Sequence, residues 1–163
     1  MTSTDGGSGE ASGELERAED LSPVDILLVE PNPGDTRLFT ESFKEASIMN
    51  RIYVVSDGRS ALDFLDRSGK YVDVPRPDIV LLDPQLPDVD GEAVVTALRE
   101  DPAHEETAVV ALTGSETEGD ILRQNGFEAD EYLAKPVEPD EFARFVRSVE
   151  EFWFAVVRQE TAE

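Results

Sequence analysis

Asp78-Ile79-Val80-Leu81-Leu82-Asp83 is four aliphatic residues held between two aspartates, with Pro75 and Pro77 just ahead of it. A run that is apolar at every position, rather than at every second one, fits a strand buried on both faces, as in a parallel sheet covered by helices. Towards the N-terminus, Val24-Asp25-Ile26-Leu27-Leu28-Val29-Glu30 has the same texture. Pro31-Asn32-Pro33-Gly34 breaks that strand, and Asp35 is expected to cap a helix through Ser47 with Leu38, Phe39, Phe43 and Ala46 on one face. Arg51 to Ser56 reads as the next strand and Gly58 to Ser68 as a helix burying Ala61, Leu62 and Leu65. Beyond Asp83 come a helix from Gly91 to Glu100, a strand from Thr107 to Thr113 and a weaker helix from Glu116 to Asn125, stopped by Gly126. A strand from Glu128 to Ala134 precedes a last helix after Pro139, which carries Phe142, Phe145, Val146, Val149, Trp153 and Val156 at helical spacing. Five strands, each followed by a helix, predict an α/β fold: a mostly parallel, five-stranded, doubly wound sheet.

The 163 residues, 39% apolar, suffice for one core. Residues 1–22 are rich in glycine, serine and acids, with Leu15 and Leu21 their only large aliphatics after Met1; they predict a disordered tail. The domain is expected over 23–158, with a short tail at 159–163. Acidic residues number 37 against 14 basic ones, a net charge of -23, which argues against a sequence-independent grip on nucleic acid or an anionic membrane. With no cysteine and one histidine, His104, disulfides, thiolate zinc sites, cysteine nucleophiles and serine-protease triads lose their residues. No basic start with an apolar stretch marks a secretory leader, and the apolar runs are strand-sized, so the expected location is the cytoplasm. Only Lys44, Lys70 and Lys135 are lysines. Such an acidic, lysine-poor composition predicts a halophilic origin, where molar salt shortens the Debye length to about 3 Å and screens the self-repulsion; the plainer reading is an acidic protein with an acidic partner-facing patch.

In doubly wound sheets, chemistry gathers at the carboxyl ends of the strands. Those ends carry Glu30, Asp83, Thr113 and Ala134-Lys135. Together with Ile26-Leu27-Leu28-Val29 before Glu30, Pro87 and Asp90-Gly91 after Asp83, Val109-Val110-Ala111-Leu112-Thr113-Gly114, and Lys135-Pro136, the chain resembles the response-regulator receiver domains of two-component signalling. Asn32-Pro33-Gly34-Asp35 and Phe152-Trp153-Phe154 are similar to the small stand-alone receivers associated with phytochrome-type sensor kinases. The resemblance implies the flavodoxin-like strand order 2-1-3-4-5 and a stand-alone, non-enzymatic regulator. It implies that Asp83 accepts a phosphoryl group from a sensor histidine kinase, that Lys135, Thr113 and Gly114 contact that group, and that Thr113 and Tyr132 form the switch. Helix four, strand five and helix five would then alter affinity for a downstream protein. Physically, phosphoryl transfer asks for an in-line acceptor and charge neutralisation, which an aspartate beside a lysine supplies.

Two departures stand out. The family usually has a second acid after strand one that binds magnesium; here Glu30 is followed by Pro31. Glu30, Asp83 and the backbone carbonyl of Gln85 remain as ligands, with waters filling the sphere and Asp35 at most assisting beside its main task as a cap, so magnesium binding is expected to be weak and phosphorylation slow. Pro84 replaces the usual aliphatic residue and removes one amide, leaving that of Gln85.

Each residue also has a plainer reading. Asp83 would satisfy backbone groups at a turn, Lys135 would be a solvated lysine before a proline, and Tyr132 an ordinary half-buried aromatic. His104 is expected in a surface loop. Against phosphorylation stands a pseudo-receiver, a binding module disabled by Pro31. An aspartyl phosphatase would need an aspartate where Gln85 stands, and a flavin site would need a hydroxyl-rich loop where Pro31-Asn32-Pro33-Gly34 lies. Phe142, Phe145, Phe152, Trp153, Phe154, Val156 and Val157 exceed what one helix face buries; the resemblance implies a homodimer interface that includes Phe152, Trp153 and Phe154, and the plainer reading is that the extra aromatics cover the end of the sheet.

Overall fold

The computed structural model describes residues 23–45 and 49–148. Both expected tails lie outside them, as do the residues after Ser148 over which the last helix is expected to continue. Within them, β1 (Val24–Val29), β2 (Asn50–Val55), β3 (Ile79–Leu82), β4 (Ala108–Thr113) and β5 (Glu131–Ala134) alternate with α1 (Pro33–Lys44), α2 (Gly58–Asp66), α3 (Gly91–Glu100), α4 (Glu116–Gln124) and α5 (Pro139–Ser148). The strands form one parallel sheet in the order β2-β1-β3-β4-β5, the expected flavodoxin-like receiver fold.

Side chains alternate across a strand, so each central strand feeds two cores. Ile26, Leu28, Ile79, Leu81, Val110 and Leu112 meet Phe39 and Phe43 of α1 and Ala143 and Phe145 of α5. The intervening Leu27, Val29, Val80, Leu82, Val109 and Ala111 meet Ala61, Phe64 and Leu65 of α2, Val94, Val95 and Leu98 of α3, and Phe127 after α4. Burying one such aliphatic side chain contributes about 1.5–3 kcal/mol. All four residues of β3 are buried, as its uninterrupted apolar run predicts.

Several local expectations are corrected. Asp35 does not cap α1. Asn32 does, its Oδ1 accepting the N–H groups of Gly34 and Asp35 at 2.8 and 3.1 Å, with Pro33 in the first turn. Leu38, expected on the buried face, is exposed, and Ala46 and Ser47 lie outside the described residues. In α2 Phe64 is buried and Leu62 only partly so, because Phe64 packs between the rings of Tyr53 and Tyr71 at 5.7 and 5.3 Å. That helix ends at Asp66 rather than Ser68, since Arg67 turns left-handed and its N–H returns to Phe64. The strand expected from Glu128 begins at Glu131. Asp130 instead spends its carboxylate on the Val109 N–H (2.8 Å) and Arg99 (3.0 Å).

His104 is the largest correction. It sits in a 3-10 turn (Pro102–His104), is only 2% exposed, and its Nε2 pairs with the Leu65 carbonyl at 3.0 Å while Nδ1 has no partner. The turn capped by Asp101 tucks the ring under α2, which residue type alone does not disclose. Of the last helix's predicted stripe, Phe145 is buried; the side chains of Phe142 and Val146, and Val149, Trp153 and Val156, lie outside the described residues.

Candidate functional site

Parallel pairing sets the strand ends side by side, Val29 opposite Leu82 and Thr113 opposite Ala134. The next residues, Glu30, Asp83 and Lys135, therefore emerge on one edge of the sheet. The N–H of Glu30 is bonded to Val55, that of Asp83 to Val29 and that of Lys135 to Thr113, so the sheet ladder itself extends into the site.

There the Lys135 ammonium lies 2.8 Å from Asp83 Oδ2, 2.9 Å from Glu30 Oε1 and 3.1 Å from Asp35 Oδ2. Three carboxylates thus converge on one cation. Burial works against the charge on Lys135, but hydrogen bonds to Asp83, Glu30 and Asp35 outweigh it and hold the ammonium well above its ordinary pKa. Burial pushes the Glu30 carboxyl up, against the pull of Lys135 and of the Asn32 N–H at 3.1 Å.

Asp83 Oδ1 accepts the N–H of Gln85 at 2.9 Å. Gln85, expected to lend its backbone carbonyl to a metal, is exposed on the loop between β3 and α3. That loop is anchored at both ends. A Cβ on Gly91 would stand 2.7 Å from Pro84 Cα, so only glycine admits the close approach, and the Gly91 N–H bonds to the Pro84 carbonyl at 3.2 Å. Asp88 accepts the N–H groups of Gly58 and Arg59 at the start of α2, at 2.8 and 3.0 Å, which lowers its pKa.

Thr113, 2% exposed at the end of β4, donates its hydroxyl to the Ser115 carbonyl at 2.9 Å. Gly114 is exposed, and its N–H donates to Glu118 at 2.8 Å. Tyr132 on β5 is half-buried. Its hydroxyl donates to the Phe127 carbonyl, and the Arg123 guanidinium lies 4.3 Å from its ring centroid. Thr113, Gly119 and Tyr132 line a cleft of about 240 Å³ with Arg123 and Glu141. Phe152, Trp153 and Phe154 lie outside the described residues.

Glu30, Asp83 and Lys135 are thus brought into contact, Thr113 and Gly114 stand on the neighbouring strand end, and Pro31 contributes no side-chain oxygen. One participant has a different main task from the one expected and one is new. Asp35, expected chiefly as the cap, is free to face Lys135 because Asn32 caps the helix, as the Asn-Pro pair at 32–33 already signals. Glu118 was not singled out, although Ser115-Glu116-Thr117-Glu118 has the pattern of a capping box.

Among the described residues no group of acidic or histidine side chains is set to hold a metal ion as it stands, and the point of convergence is filled by Lys135. The donors are nonetheless of the right chemistry: hard carboxylate oxygens from Glu30, Asp35 and Asp83, which a small divalent cation prefers. No described helix is long and apolar enough to cross a membrane.

Residues 26–147 match the family profile of the response regulator receiver domain. The chain is 34% identical over 139 residues to response regulator Rcp1 of Synechocystis sp., covering 85% of this chain and 95% of Rcp1. Crystal structures with the same fold include the Mn(2+)-bound form of Rcp1 (34% identity, TM-score 0.62, 81% and 95% of the two chains). The bacteriophytochrome response regulator AtBRR superposes with a TM-score of 0.73 at 34% identity, over 81% and 96% of the chains. The phosphorylated cyanobacterial phytochrome response regulator RcpA gives 0.65 at 32% identity, over 82% and 96%. Fold, strand-end residues and relatives agree, and the chain belongs to the response regulator receiver domains of two-component signalling, close to the phytochrome response regulators of the Rcp1 type.

Proposed function

We propose that the chain is a stand-alone phosphorelay regulator that accepts a phosphoryl group on Asp83 from a phosphohistidine of a sensor histidine kinase and acts through protein contacts, without enzymatic turnover of its own. The observation that carries this reading is the 2.8 Å contact between Lys135 and Asp83 at a strand end where the next amide, Gln85, already faces the same carboxylate. In the transfer, an Asp83 oxygen forms a bond to phosphorus as the phosphorus–nitrogen bond of the donor breaks, and the leaving imidazole keeps the electron pair and takes up a proton. Lys135 moves from Asp83 to the transferred oxygens, whose added charge of up to -2 it offsets. Gly114 offers its N–H, and Thr113 exchanges the Ser115 carbonyl for a phosphoryl oxygen, with Tyr132 following.

Glu30, Asp83 and Asp35 would hold magnesium, with the Gln85 carbonyl, Asp35 supplying a carboxylate that Pro31 does not. When bound, the cation offsets charge on the transferring group. The phosphorylated RcpA and Mn(2+)-bound Rcp1 structures support this reading by likeness. The dimer expected through Phe152, Trp153 and Phe154 belongs to the same proposal, as do a cytoplasmic location and a high-salt milieu for the -23 charge. A monomeric mass by light scattering in high salt refutes the dimer.

Pro31 favours a second reading, a pseudo-receiver that binds partners without being phosphorylated. Intact-protein mass after incubation with acetyl phosphate and magnesium in concentrated potassium chloride separates the two. One phosphoryl adduct, absent from Asp83→Ala, supports the phosphorelay. No adduct on the folded wild type, with Pro31→Asp gaining one, supports the pseudo-receiver.

A further inference from the structure

In a capping box the acid at the third helical position bonds back to the N–H of the cap residue. Ser115 performs its half at the start of α4, its Oγ accepting the Glu118 N–H at 3.1 Å. Glu118 does not return to Ser115. Its Oε1 reaches one residue further, to the N–H of Gly114 at 2.8 Å, and its Oε2 lies 3.4 Å from Nε2 of Gln85. One half-buried side chain therefore ties the loop after β4 to the loop after β3, between the strand ends that carry Thr113 and Asp83. A Cβ at Gly114 would stand 2.9 Å from Glu118 Oε1, the movable end of that side chain, so the glutamate lies directly over the glycine.

We propose that Glu118 is a resident anion, occupying in the unphosphorylated chain the backbone N–H that a phosphoryl group on Asp83 needs, so that phosphorylation has to expel it and break its link to Gln85. The inference rests on the phosphoryl-acceptor reading of Asp83. An amide has one hydrogen, and a charged acceptor already satisfies it with the stronger, charge-assisted kind of bond. The incoming group is itself anionic, so the two compete for the donor and repel one another. Glu118 lies on the first turn of α4, and its release would free that turn from the Asp83 loop when the charge there changes. Charge at Asp83 would thereby reach the face made by α4 and β5 through a side chain distinct from Thr113 and Tyr132.

The test uses the full chain as wild type, Glu118→Gln and Glu118→Ala. Glutamine keeps an acceptor oxygen and loses the charge; alanine loses both. Without any donor present, the amide resonance of Gly114 should move in the alanine variant. With acetyl phosphate and magnesium, the rate of labelling, read by intact mass, should rise about fivefold in the alanine variant, as for loss of one partly screened charged hydrogen bond, and by less in the glutamine variant. A capping role alone would lower the melting temperature of the alanine variant and leave the labelling rate at the wild-type value, which overturns the proposal. So does a Gly114 resonance that ignores the substitution. Equal labelling of all three overturns the resident anion and leaves the acceptor reading intact, whereas labelling of none, with Gly114 still responding, overturns the acceptor reading and the competition with it. Should the alanine variant fail to fold, the same rates and resonance in the glutamine variant decide.

Discussion

Replacing Lys135 by methionine keeps the length and apolar stem of the side chain and removes the charge on which Glu30, Asp35 and Asp83 converge. Taking one partner from a buried ion pair typically costs 3–5 kcal/mol, because the other charge is left without compensation. Here the Glu30 side chain is fully buried, while Lys135 and Asp83 keep 17% and 15% of their surface in solvent and Asp35 keeps 35%. Water and salt therefore screen part of the repulsion, and the lower end applies, about 3 kcal/mol at pH 7. For a domain of this size each kcal/mol moves the melting temperature by roughly 3–4 °C, which gives a drop of about 10 °C. Urea unfolding at fixed potassium chloride measures the loss directly. Magnesium should return a larger share of stability to the variant than to wild type, since the three oxygens are then free to receive a cation. A variant as stable as wild type, with no added response to magnesium, would show that the carboxylates are solvated and that Lys135 does not hold them together.

Other outcomes follow from the same geometry. Pro31→Asp should tighten magnesium binding in the absence of any phosphoryl donor and Asp35→Asn should weaken it, each by about tenfold, as read by calorimetry; an Asp35→Asn affinity equal to wild type removes Asp35 from the ligand set. Gly91→Ala should lose about 1–2 kcal/mol despite the better helix propensity of alanine, because the new Cβ meets Pro84 backbone rather than a movable side chain; unchanged urea stability would mean that the loop yields freely. The pKa of Lys135 is raised by folding, so its contribution is complete below its ordinary value of 10.5 and is lost as pH climbs through the higher folded value. Wild type should accordingly lose stability above pH 10.5 more steeply than Lys135→Met, and parallel curves would contradict the pairing.

The strands are readable because Ile26 to Val29, Ile79 to Leu82 and Val109 to Leu112 are short, apolar without a break and bounded by turn residues, a pattern that, alternating with helical periods, fits a sheet covered on both faces. Once those strands are parallel, their last residues must share an edge, which is why Glu30, Asp83, Thr113 and Lys135 could be grouped before any coordinates. What stayed hidden depends on side chains crossing between loops. Asp35 reaches Lys135 while Asn32 takes the cap, and Glu118 reaches Gln85 across a separation in sequence that no periodicity encodes. His104 was misplaced for a related reason: a polar residue after proline resembles a surface turn, and only the fold brings the Leu65 carbonyl over it. The aromatic excess at Phe152, Trp153 and Phe154 falls outside the described residues.

The loop that follows Asp83 is fastened at Pro84–Gly91 and again at Asp88, whereas its counterpart after β4 is held mainly through Gly114, Ser115 and Glu118 and backs onto a cleft of about 240 Å³ beside Gly119. The two walls are thus fastened in different ways, one tied across to α2 and the other through bonds within its own turn and the single link to Gln85. Added charge or bulk between them meets bonds to a neighbouring helix on the first side and chiefly local bonds on the second. That asymmetry is set by where Pro84, Asp88 and Gly91 lie in the chain, before any partner is present to read the result.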